Sequence, residues 1–240
     1  MRPPMDELGT VLGIWAHPDD EAYLSAGLMA RAVRNGSRVV CVTATRGEGG
    51  SMDEDVWPPK TMRDVRTQEL ERSLAILGVD DHVWLDLPDV DMETALPEHA
   101  YERVVEIVRD VQPDTILTFG ADGMTTHEAH KSVCRWATTA NRDAGKAGSR
   151  VLYAAVTQDW ADEFLPIWEP FDVFRPGAPE IYAPEDLVID YRLPPEINEL
   201  KVRSILEHES QVRAIFEAVG EDVWWRQMSR EMFRLGEAKE

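Results

Sequence analysis

The chain has 240 residues, 43% hydrophobic and 29% charged, enough for one substantial core, and no internal stretch reads as a linker that divides it. Its 45 acidic and 25 basic residues give a formal charge of -20, which repels phosphate backbones and anionic membrane surfaces and excludes nucleic acid as an expected partner. No apolar run approaches the roughly 20 residues of a membrane span, and the N-terminal MRPPMDELGT carries neither a secretory core nor a transit-peptide pattern.

In chain order, strand-like runs stand at Val11 to Ala16, Arg38 to Thr45, His82 to Leu87, Asp114 to Phe119 and Arg150 to Val156. Helix-like segments separate them. Leu24, Leu28 and Ala32 mark the first helical face, stopped by Asn35-Gly36. Leu70, Leu74 and Leu77 mark the second, which ends at Gly78, and Tyr101, Val104, Val105 and Val108 the third, closed by Pro113. This alternation predicts an α/β, Rossmann-like three-layer fold with a mostly parallel sheet, as a single domain over residues 1–240. Residues 164–195 are rich in proline and aromatics and lose the alternation, so they are expected to be an irregular, pocket-shaping insertion, although Asp186 to Tyr191 reads as one more strand. C-terminal helices follow, the last of them over WWRQMSREMF. Cys41 and Cys134 lie in apolar patterns and predict two buried free thiols, in keeping with a reducing cytoplasm.

The first strand ends in His17, Pro18, Asp19, Asp20 and Glu21. Three adjacent carboxylates repel one another and need a cation, a helix N-terminus or open water. A helix terminus contributes about 0.3 to 1 kcal/mol per charge, whereas a bound divalent ion is a much larger local charge. An acidic helix cap and a metal site both fit this motif alone. After the fourth strand comes DGMTTHEAHKSV, where Thr125 and Glu128 have capping-box spacing and His127 and His130 then share a helical face. Both clusters follow parallel strands, whose carboxyl ends form the ligand crevice of such a sheet. Two histidines with one carboxylate make a three-ligand site with room for water, as in catalytic zinc, and the second carboxylate is then available as a base.

At these residues the sequence resembles the PIG-L/LmbE-like family of metal-dependent N-deacetylases. AHPDDE at Ala16 to Glu21 carries the resemblance, with RGEGG at Arg46 to Gly50, Arg66 to Glu69, LPD at Leu87 to Asp89 and HESQ at His208 to Gln211. The resemblance implies His17, Asp20 and His130 as ligands of zinc, or of iron(II), and Asp19 as general base. It implies His127 as stabiliser of the oxyanion or proton donor to the amine, and Arg66 and Asp89 as substrate-binding residues. Without it, Arg66 and Glu69 read as an exposed ion pair on a helix. His208 and Gln211 read as packing and hydrogen-bonding residues beneath the site.

The family's second motif is commonly HPDH, and here it is HEAH, so Ala129 replaces an aspartate. Loss of that carboxylate is expected to lower the pKa of His127, and Glu128, at the adjacent helical position, is expected to point elsewhere. The implied reaction is hydrolytic removal of an N-acetyl group from a small N-acetylglucosamine-type conjugate. The alternatives are an amidase acting on a larger thiol-conjugate or glycopeptide substrate, and a catalytically impaired metal-binding sensor.

Overall fold

The computed structural model describes residues 8–175, 177 and 179–238. Most of the N-terminal stretch read as lacking an export signal lies outside these. Strands β1 (Val11–Trp15) and β2 (Val39–Thr45) are buried along their whole length. Strands covered by helices on both faces have no solvent side, which is why they read as unbroken apolar runs. With β3 (Asp81–Leu87), β4 (Thr115–Thr118) and β5 (Arg150–Ala154) they form a parallel sheet in which Val11 pairs with Val39 on one side and Thr115 on the other.

Helices α1 (Asp20–Arg34), α2 (Pro59–Leu77) and α7 (Pro195–Leu206) pack together over one face, and α3 (Tyr101–Val111) packs with α5 (Glu128–Ala144) over the other. This is the doubly wound, three-layer arrangement the alternation predicts. The expected stops fall where they were read: α1 is capped by Asn35, and Gly78 ends α2 in the left-handed region at φ 75°.

The sheet has seven strands in the order β3-β2-β1-β4-β5-β9-β8, where β8 is Leu187–Arg192 and β9 is Arg230–Ala238. β9 runs antiparallel to both neighbours. Here the structure corrects the sequence reading: WWRQMSREMF is not one helix. A short helix, α9 (Glu221–Met228), ends at Ser229, and the chain then enters β9. Its buried Glu231 reads as a surface residue, yet it is held by Lys201 Nζ at 2.9 Å and by the Gly27 and Leu28 amides at 2.7 and 2.8 Å. Tertiary pairing therefore overrides local pattern.

Residues 164–195 contain more regular structure than expected. They include the end of α6 (Gln158–Trp168), β7 (Ile181–Tyr182), which pairs with β6 (Val156–Thr157), and β8. Trp168 joins a second apolar cluster with Val202 and Ile205 of α7, Val212 and Ile215 of α8 (Glu209–Val219), and Trp224 of α9. Cys41 and Cys134 are buried and free. Among the described residues, no helix is long and apolar enough to cross a membrane.

Candidate metal centre

β1 and β4 are neighbours in the sheet although 104 residues separate Val11 from Thr115. Chains leave these two strands toward opposite helical layers, so their carboxyl ends open a crevice. His17, Asp19 and Asp20 follow β1, and His127 and His130 follow β4.

His130 is 4% exposed, with its ring stacked on Phe119 at 4.0 Å and 10°. Its Nδ1 donates to the Gly123 carbonyl at 2.9 Å and lies 3.2 Å from Thr125 Oγ1. This fixes the tautomer and leaves the Nε2 lone pair pointing away from that carbonyl. Nε2 lies 3.1 Å from His17 Nδ1 and 3.5 Å from Asp20 Oδ1. His17 presents its other nitrogen, Nε2, to Asp89 Oδ1 at 3.4 Å, and its Nδ1 stands 3.7 Å from Asp20 Oδ2. Asp20 is anchored in turn by the amides of Ala16 and His17 at 3.2 and 2.7 Å.

Bonds of about 2.0 to 2.2 Å at tetrahedral angles separate zinc ligands by about 3.3 to 3.6 Å. The two imidazole nitrogens are 3.1 Å apart, and Asp20 turns one oxygen to each ring, Oδ1 to His130 at 3.5 Å and Oδ2 to His17 at 3.7 Å, distances close to that spacing. The two imidazoles and one carboxylate therefore fit a divalent ion, with partners behind each imidazole of the kind that orient metal ligands. His127 offers a different set, since the nitrogens of His17, His127 and His130 lie within 4.8 Å of one another. Both sets share His17 and His130, and they differ in whether Asp20 or His127 supplies the third ligand.

Asp19 stands outside both sets. Its φ is 113°, a left-handed conformation that costs a non-glycine residue about 1 to 3 kcal/mol. Interactions on both sides hold it there. Its amide donates to Glu21 Oε2 at 3.1 Å, and Oε1 of the same fully buried glutamate meets His208 Nε2 at 3.1 Å. Its carboxylate meets Arg66 Nη2 at 3.1 Å. Arg66 also donates to the carbonyls of Gly47 and Pro18. A Cβ at Gly47 would lie 2.3 Å from the guanidinium, so glycine makes the room. Burial raises the Asp19 pKa, with the Arg66 charge opposing it and Asp20 reinforcing it.

Arg66, 4% exposed, is thus no surface ion pair, and Glu69 instead accepts from the Ser210 amide and hydroxyl at 2.8 and 2.7 Å. Gln211 donates to the Gly50 carbonyl at 2.9 Å. Asp89 packs against His17 and accepts from the Gly49 amide at 3.1 Å. Although burial opposes it, hydrogen bonding and charge from His17 bring the Asp89 pKa down to about 2. For His17, burial works against the charged ring, but Asp89 and Asp20 outweigh it and the pKa is raised.

The expected Thr125–Glu128 capping box does not form. The short helix α4 (Gly123–Thr126) precedes α5, and Gly123, Met124 and Thr126 all have positive φ. His127 therefore becomes the residue before α5, with no side-chain cap. This turn delivers the Gly123 carbonyl to His130, and Asp122-Gly123 was its sequence signal. Burial, then the neighbouring His130 and His17, push the His127 pKa down to about 2, against Asp89. Glu128 pairs with Lys131 at 2.7 Å and turns away from the site. Ala129 is 3% exposed and belongs to the core.

The chain is 32% identical over 184 residues to the 1D-myo-inositol 2-acetamido-2-deoxy-alpha-D-glucopyranoside deacetylase of Kineococcus radiotolerans, covering 63% of this chain and 50% of that relative. It is 28% identical to the probable N-acetyl-alpha-D-glucosaminyl L-malate deacetylase 2 of Bacillus subtilis, covering 88% of this chain and 87% of that protein. The chain thus spans about half the length of the first relative and most of the second. The N,N'-diacetylchitobiose deacetylase from Pyrococcus horikoshii shares the fold, with a TM-score of 0.64 at 22% identity over 97% of this chain and 85% of that one. The PIG-L family model, described as GlcNAc-PI de-N-acetylase, matches residues 12–141. That match takes in both strand ends that build the centre and more than half of the sequence, so the chain belongs to the PIG-L family.

Proposed function

We propose that the protein is a divalent-metal-dependent N-deacetylase that hydrolyses the acetamido group of an N-acetylglucosamine-type conjugate, with zinc, or iron(II) in its place, held by His17, Asp20 and His130. The observation that supports this reading is the approach of His17 Nδ1 to His130 Nε2 at 3.1 Å with one Asp20 oxygen toward each ring and the Asp19 carboxylate held beside them by Arg66. The deacetylase names of the relatives support the reaction class.

A divalent ion held there supplies a Lewis acid for the amide carbonyl and lowers the pKa of water. Asp19 takes the proton of the attacking water. Its raised pKa, set by burial against Arg66, suits a base working near neutral pH. Arg66 aims the carboxylate, and Glu21 with His208 fixes the backbone that bears it. His127, neutral in the resting site, donates an N–H toward the carbonyl oxygen as charge develops on it, and the proton held by Asp19 passes to the departing amine. Acetate and a free amino sugar are the products. Asp89, held by the Gly49 amide, is the carboxylate that meets the sugar hydroxyls. The buried free thiols Cys41 and Cys134 support a reducing, cytoplasmic setting.

The test incubates zinc- or iron(II)-loaded protein with a panel of N-acetylglucosamine conjugates and measures released primary amine. Amine release that Asp19→Asn abolishes supports the reading. Ligand binding with no amine released from any conjugate would favour the sensor.

A further inference from the structure

A cavity of about 140 Å³ adjoins the candidate metal centre, with Asp20 and His130 in its wall. It lies on the flank of β4, β5 and β9, whereas Arg66, Asp89 and the Gly47–Gly49 loop lie on the flank of β2 and β3. Leu24 of α1, Trp160 and Trp168 of α6, Phe174 and Met228 make its walls predominantly apolar. Two charged residues also line it, and both are committed elsewhere. Arg230 is bound to Asp190 at 2.6 and 3.0 Å and to Asp159 at 2.8 Å, and Glu231 to Lys201 at 2.9 Å.

The two flanks match the two halves of an amide. An amino sugar needs hydrogen-bonding partners, and the acyl carbons need apolar walls. A cavity of about 150 Å³ with apolar walls holds a benzene molecule, six carbons in all. One acetyl methyl leaves most of such a space empty, and its walls then lose their packing contacts. Among the described residues, Tyr23, Thr125 and Gln227 add neutral polar groups to the wall, with Gln227 Oε1 and Trp168 Nε1 unpartnered, so apart from Asp20 the cavity carries no unpaired charge to meet a charged chain. We propose that this cavity is an acyl subsite, and that beside the acetamido group the protein cleaves uncharged N-acyl groups of about four to six carbons, and cleaves them faster. The proposal rests on the hydrolytic reading above and names the acyl half of its substrate. The reaction is unchanged: water adds to the acyl carbon, the C–N bond breaks, and the proton goes to the amine.

The test compares N-acetyl-, N-butanoyl-, N-hexanoyl- and N-decanoylglucosamine in two readouts: kcat/KM of the metal-loaded protein, and calorimetric binding to the metal-free protein. Expected is a rise of about fourfold per methylene through hexanoyl in both, with no further gain at decanoyl. Val173→Trp, which places a large side chain at the cavity wall, is expected to remove the hexanoyl advantage in both readouts. If no amide is cleaved yet metal-free protein binds the hexanoyl compound at least tenfold more tightly than the acetyl one, the subsite stands and the hydrolytic reading falls. If the acetyl compound is cleaved at least as well as the hexanoyl one, or the two bind equally, the subsite is overturned, while amine release keeps the hydrolytic reading.

Discussion

His17 Nδ1 and His130 Nε2 face each other at 3.1 Å, while the other nitrogen of each ring faces an oxygen, Asp89 Oδ1 for His17 and the Gly123 carbonyl for His130. A ring whose second nitrogen donates to oxygen presents a lone pair from the first. Two lone pairs at this distance repel unless a proton or a cation lies between them. The raised pKa of His17 puts a proton there in the metal-free site, and Asp20, with one oxygen toward each ring, stabilises that charge or a divalent ion in its place. The contact joins residues 113 positions apart, and the pairing of β1 with β4 brings them together.

Asp19→Asn separates the base from the ligand set. The variant is expected to keep its bound metal and to lose at least about a hundredfold in kcat, because a positioned general base contributes about 10² to 10⁴. Metal analysis and steady-state kinetics on the same preparation check this. Loss of metal from the variant would instead make Asp19 a ligand.

Ala129→Asp restores a carboxylate near His127. A nearby negative charge favours the imidazolium, so the His127 pKa, held down at about 2, is expected to rise, and the kinetic limb it sets moves to higher pH. Because Ala129 is 3% exposed, a stability loss of about 1 to 3 kcal/mol accompanies the change. A pH–rate profile that superimposes on that of the parent would contradict the assignment of His127.

Much of this architecture was legible in sequence, for particular reasons. β1 and β2 are covered on both faces and appear as unbroken apolar runs, and Asn35-Gly36 and Gly78 carry the chemistry of helix ends. β9 was not legible, because its core includes Glu231, whose burial depends on Lys201 thirty residues earlier. Arg66 read as a surface residue because its partners, Gly47, Pro18 and Asp19, come from two other loops. Resemblance gave Asp89 a substrate role, and the contact with His17 adds an orienting one that only folded geometry displays. The cavity was beyond reach, since α1, β5, α6, α9 and β9 each contribute part of its wall.

His82 makes stability depend on pH away from the centre. Burial lowers its pKa to about 4, with Glu21 opposing and Arg46 reinforcing the shift. The unfolded chain, with an ordinary histidine pKa near 6.5, therefore binds more protons between these values. The contribution of the neutral ring is complete above about pH 6.5 and is lost progressively as pH falls toward about 4. His82→Gln is expected to flatten the fall in Tm over that window. An unaltered slope would contradict the shift.

Lys201 and Glu231 are 1% and 0% exposed in their side chains and pair at 2.9 Å. Lys201→Met leaves the Glu231 carboxylate buried with two amide donors and no countercharge. The expected loss is about 3 to 5 kcal/mol in urea unfolding. A loss under 1 kcal/mol would mean that the carboxylate protonates at little cost.

The central claim is that His17, Asp20 and His130 grip one divalent ion. Its most direct measurement is the metal content of zinc- or iron(II)-reconstituted protein after dialysis, by elemental analysis, for the parent chain, His17→Ala, His130→Ala and Asp19→Asn, each checked for folding by circular dichroism. The account predicts one ion per chain in the parent and in Asp19→Asn, and none in the two histidine variants. A folded His130→Ala protein that keeps a full equivalent of metal, or a folded parent that takes up none, would contradict it.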